Sequence, residues 1–205
     1  MNTNLLFRVF PEGLLKTNSV VLVNGDTCVV VDIPYGAHEL CNFVRQNNLK
    51  VAAVLLTHGH FDHCGGVNEF FESCGCSAPV FVHASDLELC QTASNNLWHL
   101  PAENCFPTDF VKEGNFCVGG LEFSVLETPG HTAGSVVYMV ENLMLSGDTL
   151  MENSIGRTDF RESVPSKMYQ SLQKLKTLQQ NYTIVCGHGE TTTLHYEKKN
   201  NPYLN

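Results

Sequence analysis

Apolar residues recur along this chain in two rhythms, and their order predicts most of its elements. Residues 5–10, 19–23 and 27–33 read as strands. Val29, Val30 and Val31 form an unbroken β-branched run, as in a strand buried on both faces. Over residues 37–47 the spacing changes: Leu40, Phe43 and Val44 stand at i, i+3, i+4, which predicts a helix. A second buried strand over 51–56 follows. Val67, Phe70 and Phe71 suggest a short helix, and 79–82 a return to strand. Ser85 with Glu88 fits a capping box that opens a helix through about Gln91. Residues 93–108, which hold the sole tryptophan, Trp98, show no rhythm. Strands resume at 121–127, 135–140 and 143–145. Met168, Leu172, Leu175 and Leu178 mark one face of a long helix, 183–186 a last strand and 191–199 a last helix. Strands and helices thus come in two similar halves, the order expected of two packed sheets with helices outside, a four-layer α/β sandwich.

Composition narrows the picture. The 205 residues suit one compact domain, with 43% hydrophobic and 16% charged residues, proportions of a well-cored globular chain. The net charge of −9 and the absence of a dense Lys/Arg run argue against a nucleic-acid partner. No apolar run approaches the 18 residues of a membrane span. Residues 1–10 lack the layout of a signal peptide, so the nine cysteines are expected to be reduced thiols in a cytoplasmic protein.

Four apolar runs end alike. Val54-Leu55-Leu56 leads to Thr57-His58-Gly59-His60, Val125-Leu126 to Thr128-Pro129-Gly130-His131, Leu143-Met144-Leu145 to Ser146-Gly147-Asp148, and Ile184-Val185-Cys186 to Gly187-His188-Gly189. Each is a buried strand ending at a glycine beside a His or Asp. Ligands of open α/β sheets lie beyond the carboxyl ends of strands, and glycine lets the backbone approach them. Imidazole and carboxylate suit Zn, Fe or Mn. His58, His60 and Asp62 share a period of two and are expected to point one way in an extended segment, with His63 breaking parity where a helix starts. His58, His60, Asp62, His63, His131, Asp148 and His188 are therefore candidate ligands. They are too many for one ion and a suitable supply for two. His38, His83, His99 and His195 have no such context.

Thr57-His58-Gly59-His60-Phe61-Asp62-His63-Cys64-Gly65-Gly66 resembles the T-H-x-H-x-D-H-x-G-G signature of the metallo-β-lactamase superfamily, and the later strand-end motifs match in order. The resemblance implies that His58, His60 and His131 hold one divalent metal ion, that Asp62, His63 and His188 hold a second, and that Asp148 bridges them. His after Asp62 and Asp at the bridge differ from most true β-lactamases, so antibiotic hydrolysis is not expected. Gly156-Arg157-Thr158-Asp159 and the closing Tyr196-Glu197-Lys198-Lys199-Asn200-Asn201-Pro202-Tyr203-Leu204 resemble the short glyoxalase II-like proteins. That resemblance implies a hydroxyacylglutathione hydrolase or related thioesterase, with two metal ions, zinc first and iron or manganese as alternatives, and a small thioester as partner. Asp62 is the candidate for orienting the nucleophile, and Arg157 for holding a substrate carboxylate, its alternative being an ion pair to Asp159. A counterpart of the C-terminal helical domain that grips glutathione in longer relatives is not expected in this chain, and with it a weaker grip is expected. Thr57, Thr132, Ser146 and Thr149 are expected to support the ligands. Cys64 and Cys186 lie beside ligands, but the metal route leaves them no necessary role. The rival expectations are a mononuclear iron persulfide dioxygenase, a nuclease and a non-catalytic metal-binding protein.

Overall fold

The computed structural model describes residues 5–92, 96 and 98–204. Twelve strands form two six-stranded sheets. In the first sheet, β1 (Leu6–Glu12), β2 (Thr17–Asn24) and β3 (Thr27–Val31) pair antiparallel. Then β4 (Lys50–Leu55), β5 (Val80–His83) and β6 (Asp109–Val111) continue in parallel. The second sheet contains β7 (Gly114–Val118), β8 (Leu121–Glu127), β9 (Val136–Val140), β10 (Leu143–Gly147), β11 (Thr183–Cys186) and β12 (Thr192–Thr193). Its one parallel pair is β10 with β11. The expected pairing of two sheets with outer helices is what the structure shows.

The period-two alternation of strand side chains sorts the core into layers. Val20, Leu22, Val29, Val31, Ala53 and Leu55 face the second sheet, where they meet Phe123, Val125, Tyr138, Leu143 and Val185. Their neighbours Val21, Cys28, Val30, Val54 and Leu56 face outward, under α1 (His38–Gln46) and α3 (Val67–Cys74). On the other outer face, Met168, Leu172 and Leu175 of α5 (Pro165–Thr177) cover Val137, Met144 and Ile184. No helix among the described residues is long and apolar enough to cross a membrane.

Several local readings change. The Ser85/Glu88 capping box is absent: a 3₁₀ turn over Ala84–Asp86 precedes α4 (Leu87–Thr92), and the His83 side chain accepts from the Ser85 amide. Asp86 is drawn inward instead, as described below. The last helix, α6, starts at Leu194, because Thr192 and Thr193 pair with β11 as an edge strand. The strands β6 and β7 escaped the pattern because they are short and mix exposed with buried residues. Of the unpatterned stretch 93–108, residues 93–95 and 97 lie outside the described residues.

Candidate metal centre

The carboxyl ends of β3, β4, β8, β10 and β11 converge. His58 and His60 follow β4, and His60, in extended conformation, is the N-terminal cap of the one-turn helix α2 (Phe61–Cys64). Because α2 starts at Phe61, Asp62 turns with His63 rather than aligning with His58 and His60. The period-two expectation for Asp62 is thereby corrected. Three ligand sets result, each with donor atoms within 4.8 Å of one another: His58, His60 and His131; His58, His63 and Asp148; and Asp62, His63 and His188. All seven sequence-derived candidates are in one place.

Hydrogen bonds on the outer side of each ring settle what the inner side offers. Nδ1–H of His131 donates to the Arg157 carbonyl at 2.8 Å, and Nε2–H of His60 to Glu162 at 2.9 Å. Nδ1–H of His63 donates to Asp32 at 2.8 Å, and Nδ1–H of His188 to the Leu15 carbonyl at 3.1 Å. The Thr57 hydroxyl donates to Asp32 at 2.7 Å and so accepts from Nδ1–H of His58 at 3.1 Å. A neutral imidazole has one N–H, so in the neutral rings these partners fix each tautomer and turn the remaining lone pair inward, on His63 once its second proton is displaced. Nδ1 of His60 then lies 3.0 Å from Nε2 of His58 and 2.8 Å from Nε2 of His131, with no proton to share. Close-packed lone pairs repel, and a cation between them removes the repulsion.

The carboxylates make the same demand. Oδ1 of Asp148 is buried without a hydrogen-bond partner, 3.5 Å from His63, while Oδ2 lies 3.4 Å from His131 and 3.7 Å from His188. Oδ1 thus faces His63, and Oδ2 stands between His131 of one set and His188 of the other. Asp62 stands 3.1 Å from His188 and accepts from Thr17 at 3.4 Å. Burial opposes charge on Asp62 and Asp148, but the surrounding histidines, His63 first, hold both carboxyls below their ordinary range. Burial likewise opposes protonation of His63, yet Asp32, Asp62 and Asp148 together push its pKa up to about 10. His131 goes the other way, to about 4, chiefly through burial. The donor set therefore fits divalent metal ions.

Asp32, Asp86 and Glu162 were missed in the sequence. Asp32 directly follows β3, sits at φ 54°, and also accepts from the Thr57 amide at 2.8 Å. One carboxylate therefore steadies His63 directly and His58 through Thr57. Asp86 accepts from the amides of Gly59 at 2.9 Å and Gly134 at 2.6 Å and from the Thr132 hydroxyl at 2.6 Å, joining the β4 and β8 loops. A Cβ on Gly134 would lie 2.6 Å from Asp86 Oδ1, so glycine is required there. The other expected supports act locally: Ser146 donates to the Leu150 carbonyl, and Thr149 pairs with Thr128.

A cleft of about 250 Å³ opens onto the cluster, walled by Leu15, Phe61, Trp98, Met151, Arg157 and Phe160. Arg157 is on this wall, but Asp159 takes two of its donors at 2.9 Å each and its guanidinium lies 4.6 Å from the Phe160 ring centroid. The buried thiol of Cys64 is pushed up by its hydrogen bond with Cys90 and by burial, and that of Cys186 to about 12 by burial, so neither supplies a thiolate.

Residues 13–188 match the model of the metallo-beta-lactamase superfamily. The chain belongs to that superfamily. A probable metallo-hydrolase of Bacillus subtilis (strain 168) is 32% identical, with 97% of each chain covered. A hydroxyacylglutathione hydrolase of Methylobacillus flagellatus is 33% identical over 91% of this chain and 68% of its own length. Among solved structures, the B3 metallo-beta-lactamase BLEG-1 superposes with TM-score 0.88 at 33% identity, covering 98% of this chain and 100% of the other. TTHA1623 in a di-iron-bound form gives 0.84 at 32%, covering 94% and 98%. The superfamily makes this protein a metal-dependent hydrolase, with a di-iron relative as precedent for the ion-binding cluster.

Proposed function

We propose that the protein is a thioesterase that hydrolyses thioesters of the hydroxyacylglutathione class. His58, His60 and His131 would hold one divalent ion and Asp62, His63 and His188 a second, with Asp148 shared. Divalent ions held there supply Lewis acidity, lowering the pKa of water and stabilising charge on a carbonyl oxygen. The ionised Asp62 carboxylate accepts a hydrogen bond from the attacking water and orients it. Phe160, edge-on to His60 and His131 with ring centroids 5.4 and 5.9 Å away, keeps bulk water off the first ligand set.

One observation carries the choice of a thioester. Every carboxyl lining the cleft is held ionised: Asp62 and Asp148 by the histidines, and Glu162 by the hydrogen bond from His60. The cleft therefore offers a leaving group no neutral carboxylic acid. A thiol, with a pKa of about 8.5, departs readily as an anion, whereas an amide nitrogen needs a proton. The hydroxyacylglutathione hydrolase relative supports the same reading. A second reading, β-lactam hydrolysis, draws on the likeness to the B3 enzyme, against the expectation from the ligand pattern.

One panel tests both. Metal-loaded protein is assayed with S-D-lactoylglutathione, other thioesters, a peptide amide and a chromogenic β-lactam, and metal is counted in the same sample. Thioester turnover with kcat/KM of at least about 10⁴ M⁻¹s⁻¹ and two ions per chain are expected. Preference for the β-lactam, or one iron per chain with oxygen uptake on glutathione persulfide, would overturn the proposal. Resistance of every thioester would do so equally.

A further inference from the structure

Beside the metal cleft lies a larger one of about 420 Å³, whose walls include Leu14, Lys16, Tyr35, Glu39 and Pro101. The two share Leu15, Phe61 and Asp62, so they adjoin at the second ligand set. At about 250 Å³, the metal cleft alone falls below the roughly 300–1,000 Å³ typical of small-molecule sites. A substrate with a sizeable thiol half needs the neighbouring space.

The turn between β1 and β2 presents Lys16 to that space from a fixed seat. Its predecessor Leu15 accepts from His188 at 3.1 Å. Its successor Thr17 is fully buried, donates to Asp62 at 3.4 Å and bridges to His188. Lys16 is thus pinned on both sides to residues of the second ligand set. It takes the left-handed backbone, φ 56°, which a residue with a side chain adopts only at a cost. Yet its own side chain is exposed and makes no ion pair or hydrogen bond among the described residues. Of the three acids that line the cleft with it, none pairs with it directly: Glu12 accepts from the Glu39 and Leu40 amides at 2.6 and 3.0 Å, Asp62 faces His188 and Thr17, and Glu39 makes no ion pair with Lys16. Arg157, the other cation at the two clefts, is already engaged by Asp159.

We propose that this second cleft binds the thiol half of the substrate and that Lys16 holds a carboxylate carried on it. The inference rests on the thioesterase reading and gives the acidic thiol half of its substrates a place and a partner. The grip would come from the β1–β2 turn.

Titration calorimetry on the metal-loaded protein tests it without turnover, with S-methylglutathione and its dimethyl ester as probes. Wild type is expected to bind the diacid about fivefold to tenfold more tightly than the diester, the scale of one charge-assisted hydrogen bond at an exposed site. Lys16→Gln, which keeps the backbone preference similar, should bring the two to parity, and Lys16→Arg should restore the difference. In kinetics with S-D-lactoylglutathione, the Lys16→Gln defect should fall on KM. Equal binding of both probes by wild type, or equal weakening of both in Lys16→Gln, would overturn the proposal. Diacid preference without thioester turnover would instead refute the thioesterase reading and leave the carboxylate subsite standing.

Discussion

Replacing Asp32 by asparagine changes one oxygen to an amide nitrogen and leaves the shape alone. Asparagine also tolerates the left-handed backbone at this position, φ 54°. The Thr57 amide needs an acceptor 2.8 Å away, so the new side-chain oxygen stays there and the NH₂ group faces the Thr57 hydroxyl and His63. The hydroxyl has two lone pairs and can accept from both the amide and His58, so the first ligand set keeps its tautomer. His63 has no such latitude. It can meet an NH₂ donor only by moving its proton to Nε2, which lies 3.6 Å from Asp62 and 3.5 Å from Asp148. An N–H then points where the lone pair is needed, and a charge-assisted hydrogen bond worth about 1.5–3 kcal/mol is lost. Metal affinity of the second set should fall roughly 10–100-fold, and that of the first set much less. Competition with a chromophoric chelator at neutral pH reads both steps, and thermal melting of the metal-free protein controls for folding. Two ions bound with wild-type affinity would refute the idea that Asp32 fixes the tautomer of His63.

Gly187→Ala would set a Cβ 2.0 Å from Asp148 Oδ1 and 2.9 Å from His63 Cε1; metal analysis should show at least one ion lost, and full loading would contradict the packing. Asp86→Ala leaves two amides and one hydroxyl without their acceptor, a loss of about 3–5 kcal/mol that should lower Tm by roughly 6–20 °C; a shift under 2 °C on calorimetry, about 1 kcal/mol at most at this chain length, would sink it. In the metal-free protein the raised pKa of His63 contributes stability that is whole below about pH 6.5 and disappears as pH climbs towards about 10. Denaturant midpoints of the metal-free protein should accordingly fall across that range, and a flat profile would show that His63 is not the proton's seat. Metal loading displaces that proton, so calorimetry in buffers of different ionisation enthalpy should detect proton release at neutral pH.

The strand-end ligands were legible because each is chemically unusual where it stands. A histidine or aspartate beside glycine, just after a run such as Val54-Leu55-Leu56, has no reason to be there for packing. The layers were legible for a related reason, since the two-sided burial of β2, β3 and β4 demands continuous apolar runs. What failed was information held only in three dimensions. Asp32 looks like any acid after a strand, and Asp86 like part of a helix cap; their partners lie 25 and 46 residues away. Asp62 kept its place in the motif but changed its company, because the backbone passes from period two to helix two residues earlier than the spacing implied. Glu162 reaches His60 across 102 residues, from a segment with no rhythm of its own.

The ligands also come from both halves of the chain, four from the β4 end and three from the ends of β8, β10 and β11. His63 and His188, side by side in the second set, are 125 residues apart in sequence. An ion held between them is therefore a staple across the two sheets, closing a loop as a disulfide would. By the chain-entropy account, a covalent link over such a loop removes on the order of 4–5 kcal/mol of freedom from the unfolded chain. The nine cysteines are all unpaired thiols, so no disulfide does the same work. Ions held there would button its halves together, and stripping them should loosen the whole molecule as well as silence it.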